Sequence, residues 1–130
     1  MALPLKIFVD DERPYPVGYN KVYRDGESLL MFLRENKDVK ISLLSLDHDL
    51  GEDKMDGYEL VKQLVELNPN ISKIRFHTSN IVGFHNMGNY LINAKKAGEA
   101  TGIKEIVPNK WVVLGDGSEY EDRFIKLKTM

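Results

Sequence analysis

The chain reads as an α/β protein built on a doubly wound parallel sheet of five strands, and three observations carry that reading. Short runs rich in branched apolar residues, above all Leu5-Lys6-Ile7-Phe8-Val9 and Val39 to Leu46, suit strands buried on both faces. Helical patterns alternate with these runs, which favours parallel strands joined by right-handed crossovers. The strand-like runs also end abruptly in polar clusters, Asp10-Asp11-Glu12, Asp47-His48-Asp49 and His77-Thr78-Ser79-Asn80. Open α/β sheets bind ligands just beyond the carboxyl ends of their strands, so these clusters stand where a site is expected.

Taken in order, strand one is Leu5 to Val9. The prolines of Glu12-Arg13-Pro14-Tyr15-Pro16 then force an extended, non-helical path. Tyr19 to Tyr23 makes a short second strand. Asp25 is a good N-cap for a helix through Ser28-Leu29-Leu30-Met31-Phe32-Leu33-Arg34. Val39 to Leu46 is strand three. Asp56-Gly57 opens the next helix, where Leu60, Val61, Leu64, Val65 and Leu67 recur at helical spacing until Pro69-Asn70 stops it. Lys73 to Phe76 is strand four, and Ile81 to Lys96 is helical with Gly98 as its C-cap. Two segments compete for strand five, Lys104 to Val107 and Trp111 to Leu114. Gly115-Asp116-Gly117 signals a turn, and Ser118 to Lys128 forms either a final short helix or another strand.

With 130 residues, the expectation is one domain over residues 1–130, a core at about 5–114 and a C-terminal extension over 115–130. Hydrophobic residues at 42% and charged residues at 29% are those of an ordinary globular protein. The apolar runs are too short to cross a bilayer and no signal-peptide pattern is seen, so no membrane partner is expected. The absence of cysteine removes disulfides and thiolate metal ligands and fits a cytoplasmic setting. A net charge of −2 lacks the basic footprint of a protein that grips duplex DNA.

Asp10-Asp11 after strand one, Asp47 after strand three, Met55-Asp56-Gly57-Tyr58-Glu59-Leu60 and Thr78-Ser79 after strand four together resemble the response-regulator receiver domain. The resemblance covers roughly residues 5 to 100 and implies a flavodoxin-like three-layer sandwich. It further implies that the acid pair and Asp47 hold Mg²⁺, that Asp47 accepts a phosphoryl group, and that a hydroxyl after strand four and a lysine after strand five contact its oxygens. Lys104 and Lys110 are the lysines available, neither in clear register. His48 beside the acceptor and His77 before the hydroxyls depart from ordinary receivers. Asp-Asp-Glu-Arg-Pro, Leu-Asp-His-Asp-Leu-Gly and His-Thr-Ser-Asn are more similar to a divergent branch, the cyclic-phosphate processing receiver-like domains of bacteria and their phages. That branch implies action on the cyclic phosphate of a nucleotide or an RNA end.

Residue chemistry is consistent with that implication. Carboxylates at Asp10, Asp11, Asp47 and Asp49 raise one another's pKa unless a cation sits among them, and a hard divalent ion with oxygen ligands is the simplest compensator. Mg²⁺ or Mn²⁺ is expected, and the histidines admit Zn²⁺. His48 and His77 can act as general acid or base near neutral pH, or serve structure only; His85, within a helix, weighs less. Arg13 can neutralise a phosphate as a bidentate fork, while Thr78, Ser79 and Asn80 can donate to its oxygens or simply cap the following helix. Trp111, Phe84 and Tyr90 read as core. Two functional readings follow. One is a metal-dependent phosphoesterase acting on a phosphate-containing small molecule or RNA terminus through Asp47, His48 and His77. The other is a phosphoacceptor or pseudo-receiver module, with Asp47 as acceptor and a protein partner.

Overall fold

The computed structural model describes residues 5–127. Five parallel strands form one sheet in the order β2-β1-β3-β4-β5: β1 is Leu5–Val9, β2 Lys21–Tyr23, β3 Lys40–Leu46, β4 Asn70–Phe76 and β5 Ile103–Ile106. Three helices, α1 Gly26–Glu35, α2 Gly57–Leu67 and α3 Ile81–Lys96, make the crossovers from β2 to β3, β3 to β4 and β4 to β5. This is the α/β, flavodoxin-like receiver fold. A second, two-stranded antiparallel sheet of β6 Asn109–Val113 and β7 Glu119–Lys126 follows. Strand five is therefore the earlier of its two candidate segments. Trp111 lies in the hairpin instead, and the stretch after the Gly115-Asp116-Gly117 turn is a strand, not a helix. Lys128 lies outside the described residues.

The local causes are those of the sequence. The Asp25 carboxylate accepts from the Ser28 N–H at 2.7 Å and the Asp56 carboxylate from the Glu59 N–H at 2.9 Å, so each helix begins where a side chain satisfies an orphan donor. Helix α2 ends at Asn68 in the left-handed region, and β4 then starts three residues earlier than the apolar pattern alone suggests. The connector from β1 to β2 has no helix, as Pro14 and Pro16 require.

Strand alternation divides the interior into two unlike halves. Ile7 and Val9, Leu44 and Leu46, and Ile74 and Phe76 all join one cluster with Leu29, Leu60, Leu64, Phe84 and Leu91 from the three helices. All the helices thus cover one face. The other face packs Phe8 and partly buried Leu43 against Tyr19 of the connector and Val113 of β6, so connector and hairpin form the third layer. The same parity puts Ser45 and Arg75 on that second side.

Candidate active site at the strand ends

Val9, Leu46 and Phe76 lie in one row across the sheet, Val9 paired with Leu46 and Leu46 with Phe76. The residue after each is Asp10, Asp47 or His77, and each backbone N–H continues the ladder: Asp10 donates to Tyr23 O at 3.1 Å, Asp47 to Val9 O at 3.0 Å, His77 to Leu46 O at 3.0 Å. Three chemically active side chains therefore emerge side by side on the face without helices. All three are buried, and one potential ligand atom from each lies within 4.8 Å of the others.

Asp10 accepts four hydrogen bonds. Its Oδ1 takes the backbone N–H groups of Glu12 at 3.0 Å and Arg13 at 2.8 Å, and its Oδ2 meets Arg13 Nη1 and His77 Nε2, each at 2.9 Å. Burial alone would raise its pKa, but these donors prevail and hold it well below the ordinary carboxylate range. Asp47 behaves oppositely. Burial, then the charge of Asp10, pushes its pKa up, although His77, Thr78 and Arg13 pull the other way. Its Oδ1 accepts from the His48 N–H at 2.8 Å and its Oδ2 from Arg13 Nη1 at 3.1 Å.

Arg13 is thus the cation between the two acids. Desolvation works against its charge, yet Asp10 and Asp47 together raise its pKa. Its Nη2 reaches the exposed Ser79 Oγ at 3.4 Å, and its carbonyl accepts from Arg24 Nη1 at 2.7 Å, which ties the connector down. Thr78 is buried, hydrogen-bonds the Asp47 carboxylate and accepts from the Asn80 N–H at 3.0 Å, while Asn80 Oδ1 caps α3 through Gly83 N–H.

The other sequence-selected residues lie elsewhere. Asp11 is exposed and outside the donor group. Asp49 is also exposed and outside it, its Oδ1 2.9 Å from His48 Nδ1. His48 turns toward the helix termini. Asn80 Nδ2 stands 3.4 Å from its Nδ1 and Asp56 Oδ2 3.8 Å from its Nε2, and its ring fills the space where a Cβ at Gly83 would sit. Gly57 is needed for a similar reason, since a Cβ there would run into the Asp47 carbonyl and the His48 backbone. The ion pairs of Asp10 and Asp47 come from Arg13 and His77 and not from a lysine. Lys104 Nζ bonds Thr101 O at 3.2 Å, beside the start of β5, and Lys110 is buried in β6; β5 exits into Val107-Pro108. Phe84 is fully buried as expected, and Tyr90 is half-buried. Half-buried Trp111 covers the Arg75 guanidinium at 3.8 Å. Residue-type reasoning passed over Tyr19, Ser45 and Arg75; parity with His77 along β3 and β4 is the signal that marks the latter two.

The donor chemistry fits a divalent cation, since two carboxylates and an imidazole suit Mn²⁺ or Zn²⁺ as well as Mg²⁺ with added water. Because the acceptor positions of Asp10 are all taken, such an ion would exchange with the Arg13 guanidinium. The family model of the cyclic-phosphate processing receiver domain matches residues 5–93, more than half of the chain. The chain belongs to that family. No curated protein and no solved structure matches it. The matched stretch includes β1 through β4 and all the residues of the acid–histidine group, whereas β5 and the hairpin lie beyond it. No helix among the described residues is long and apolar enough to cross a membrane.

Proposed function

We propose that this site is a metal-assisted phosphoesterase centre acting on a cyclic phosphate of a nucleotide or RNA end. The observation that carries the reading is the buried Asp10–Asp47–His77 group with Arg13 braced against both carboxylates. Asp10 and Asp47 would hold the divalent ion, Mg²⁺ or Mn²⁺ with Zn²⁺ as the further candidate, and the bound ion would offset phosphate charge. Arg13 is a fork matched to a phosphate, with the Ser79 hydroxyl and the α3 N-terminus on the same rim. Opening a cyclic phosphate by water breaks one phosphorus–oxygen bond; a base must take the proton of the water and an acid must protonate the departing ribose oxygen. His77 stands within the group in contact with Asp10, whereas His48 turns toward the helix termini, so of the two histidines only His77 is placed to take part.

The phosphoacceptor alternative has less support, because β5 exits directly into Val107-Pro108 and, among the described residues, neither Lys104 nor Lys110 is a hydrogen-bond or ion-pair partner of Asp47. The test uses the full chain with Mn²⁺ and a 2′,3′-cyclic nucleotide, and separately acetyl phosphate with Mg²⁺ read by intact mass. Turnover that falls at least 100-fold in both Asp10→Asn and His77→Gln is expected, with no phosphoryl adduct. An adduct that is lost in Asp47→Asn, without turnover, would instead establish the signalling reading.

A further inference from the structure

A buried line of polar groups runs from the hairpin to the acid cluster. Glu119 of β7 pairs with Arg75 Nη2, and Trp111 of β6 lies flat against the same guanidinium at 3.8 Å. Arg75 Nη2 also donates to the Tyr19 hydroxyl, which interacts with the Ser45 hydroxyl, and Ser45 Oγ stands 2.7 Å from His77 Nδ1. The His77 ring completes the line through Nε2, 2.9 Å from Asp10 Oδ2, and it is held flat against Phe8, centroids 4.4 Å apart and planes 8° from parallel. Arg75, Tyr19, Ser45, His77 and Asp10 are all buried.

The two ends of this line fix its direction. A guanidinium can only donate, so Tyr19 accepts from Arg75 and its own hydrogen is free to pass to Ser45. The Asp10 carboxylate can only accept, so the ring nitrogen facing it must carry a hydrogen. In the neutral ring Nδ1 then accepts from Ser45, whose hydrogen is available because Tyr19 supplies the other bond. We infer that Tyr19 and Arg75 are positioning residues which, through Ser45, hold His77 in the Nε2–H tautomer aimed at Asp10. The hairpin, outside the stretch shared with the family, reaches the site by this route. The inference deepens the phosphoesterase reading of the same site, because it assigns His77 to orienting Asp10 as an N–H donor rather than to binding a cation through a lone pair.

Long-range proton–nitrogen correlation spectra of the ¹⁵N-labelled full chain test it without any turnover, so failure here and failure of the phosphoesterase reading are separable. His77 is assigned by the signals lost in His77→Gln. The wild type is expected to show the Nε2–H pattern. Tyr19→Phe, which keeps the ring packing, should shift both nitrogens toward a mixture of tautomers, and Arg75→Lys, which keeps a donor, should retain the wild-type pattern. A wild-type ring protonated on Nδ1 or on both nitrogens overturns the inference. So does a Tyr19→Phe spectrum identical to wild type, or an Arg75→Lys spectrum as mixed as that of Tyr19→Phe.

Discussion

The two faces of the sheet are built on different principles. On the helix side, Ile7, Leu44, Ile74, Phe76, Leu60 and Phe84 fit together by volume and water exclusion, and neighbouring apolar shapes would serve nearly as well. On the connector-and-hairpin side the few apolar residues Phe8, Tyr19 and Val113 frame buried and half-buried groups held by particular partners: Arg75 by Glu119, His77 by Asp10, Arg13 by Asp10 and Asp47. A buried polar group that loses its partner keeps the full cost of its desolvation. One half of the interior therefore sets stability broadly, and the other sets geometry narrowly. The acid–histidine group lies on the narrow side.

The contrast can be broken from either face. Phe76→Ala on the helix side should cost about 3–5 kcal/mol in urea unfolding, since a fully buried ring leaves a cavity. His77 next door ought still to read as Nε2–H in whatever fraction remains folded. A cost under 1 kcal/mol would mean that this face is not the main source of stability.

Asp47→Asn should act in the reverse sense. The carboxylate is buried beside Asp10 with its pKa raised, so its ionised form is a burden that the amide removes, by about 1 kcal/mol or roughly 4 °C in Tm at pH 7. The penalty is present in full above the raised folded-state pKa and disappears below the unfolded value of about 3.9. Melting curves of wild type and variant should converge as pH falls through that window. A variant less stable than wild type at pH 7 would show that Arg13 depends on both acids together.

The smallest effect belongs to Asp25→Ala. Losing the half-buried cap of α1 should cost about 0.5 kcal/mol and leave any cyclic-nucleotide turnover unchanged. A change in turnover would show that the two faces are coupled through α1.

Much of this arrangement is legible before any coordinates. The strand–helix alternation gives the sheet, and the caps Asp25 and Asp56 give two helix starts to the residue, because capping is a local effect of a side chain on the next three amides. The position of the site is legible too, since Asp10, Asp47 and His77 stand directly after apolar runs. Which acids converge is not. Asp10 and Asp11 are indistinguishable as letters, and only the pleat, which sends alternate residues to opposite faces, puts the first inside and leaves the second in water. The same alternation separates His48 from Asp47. The fifth strand was ambiguous because two short apolar segments with similar β character follow α3, and the choice between them depends on pairing with β4 across a long stretch of chain.

Asp10 serves two ends with its two oxygens. Oδ1, by gathering the amides of Glu12 and Arg13, bends the chain as it leaves β1 and so determines where the arginine begins; Oδ2 meets that same arginine's tip and the imidazole. Shape and charge at this rim are consequently inherited together. Asparagine alone keeps an oxygen for the two amides while giving up the charge, and a lineage that went beyond it would have to rebuild the path of the connector together with the charge at its rim.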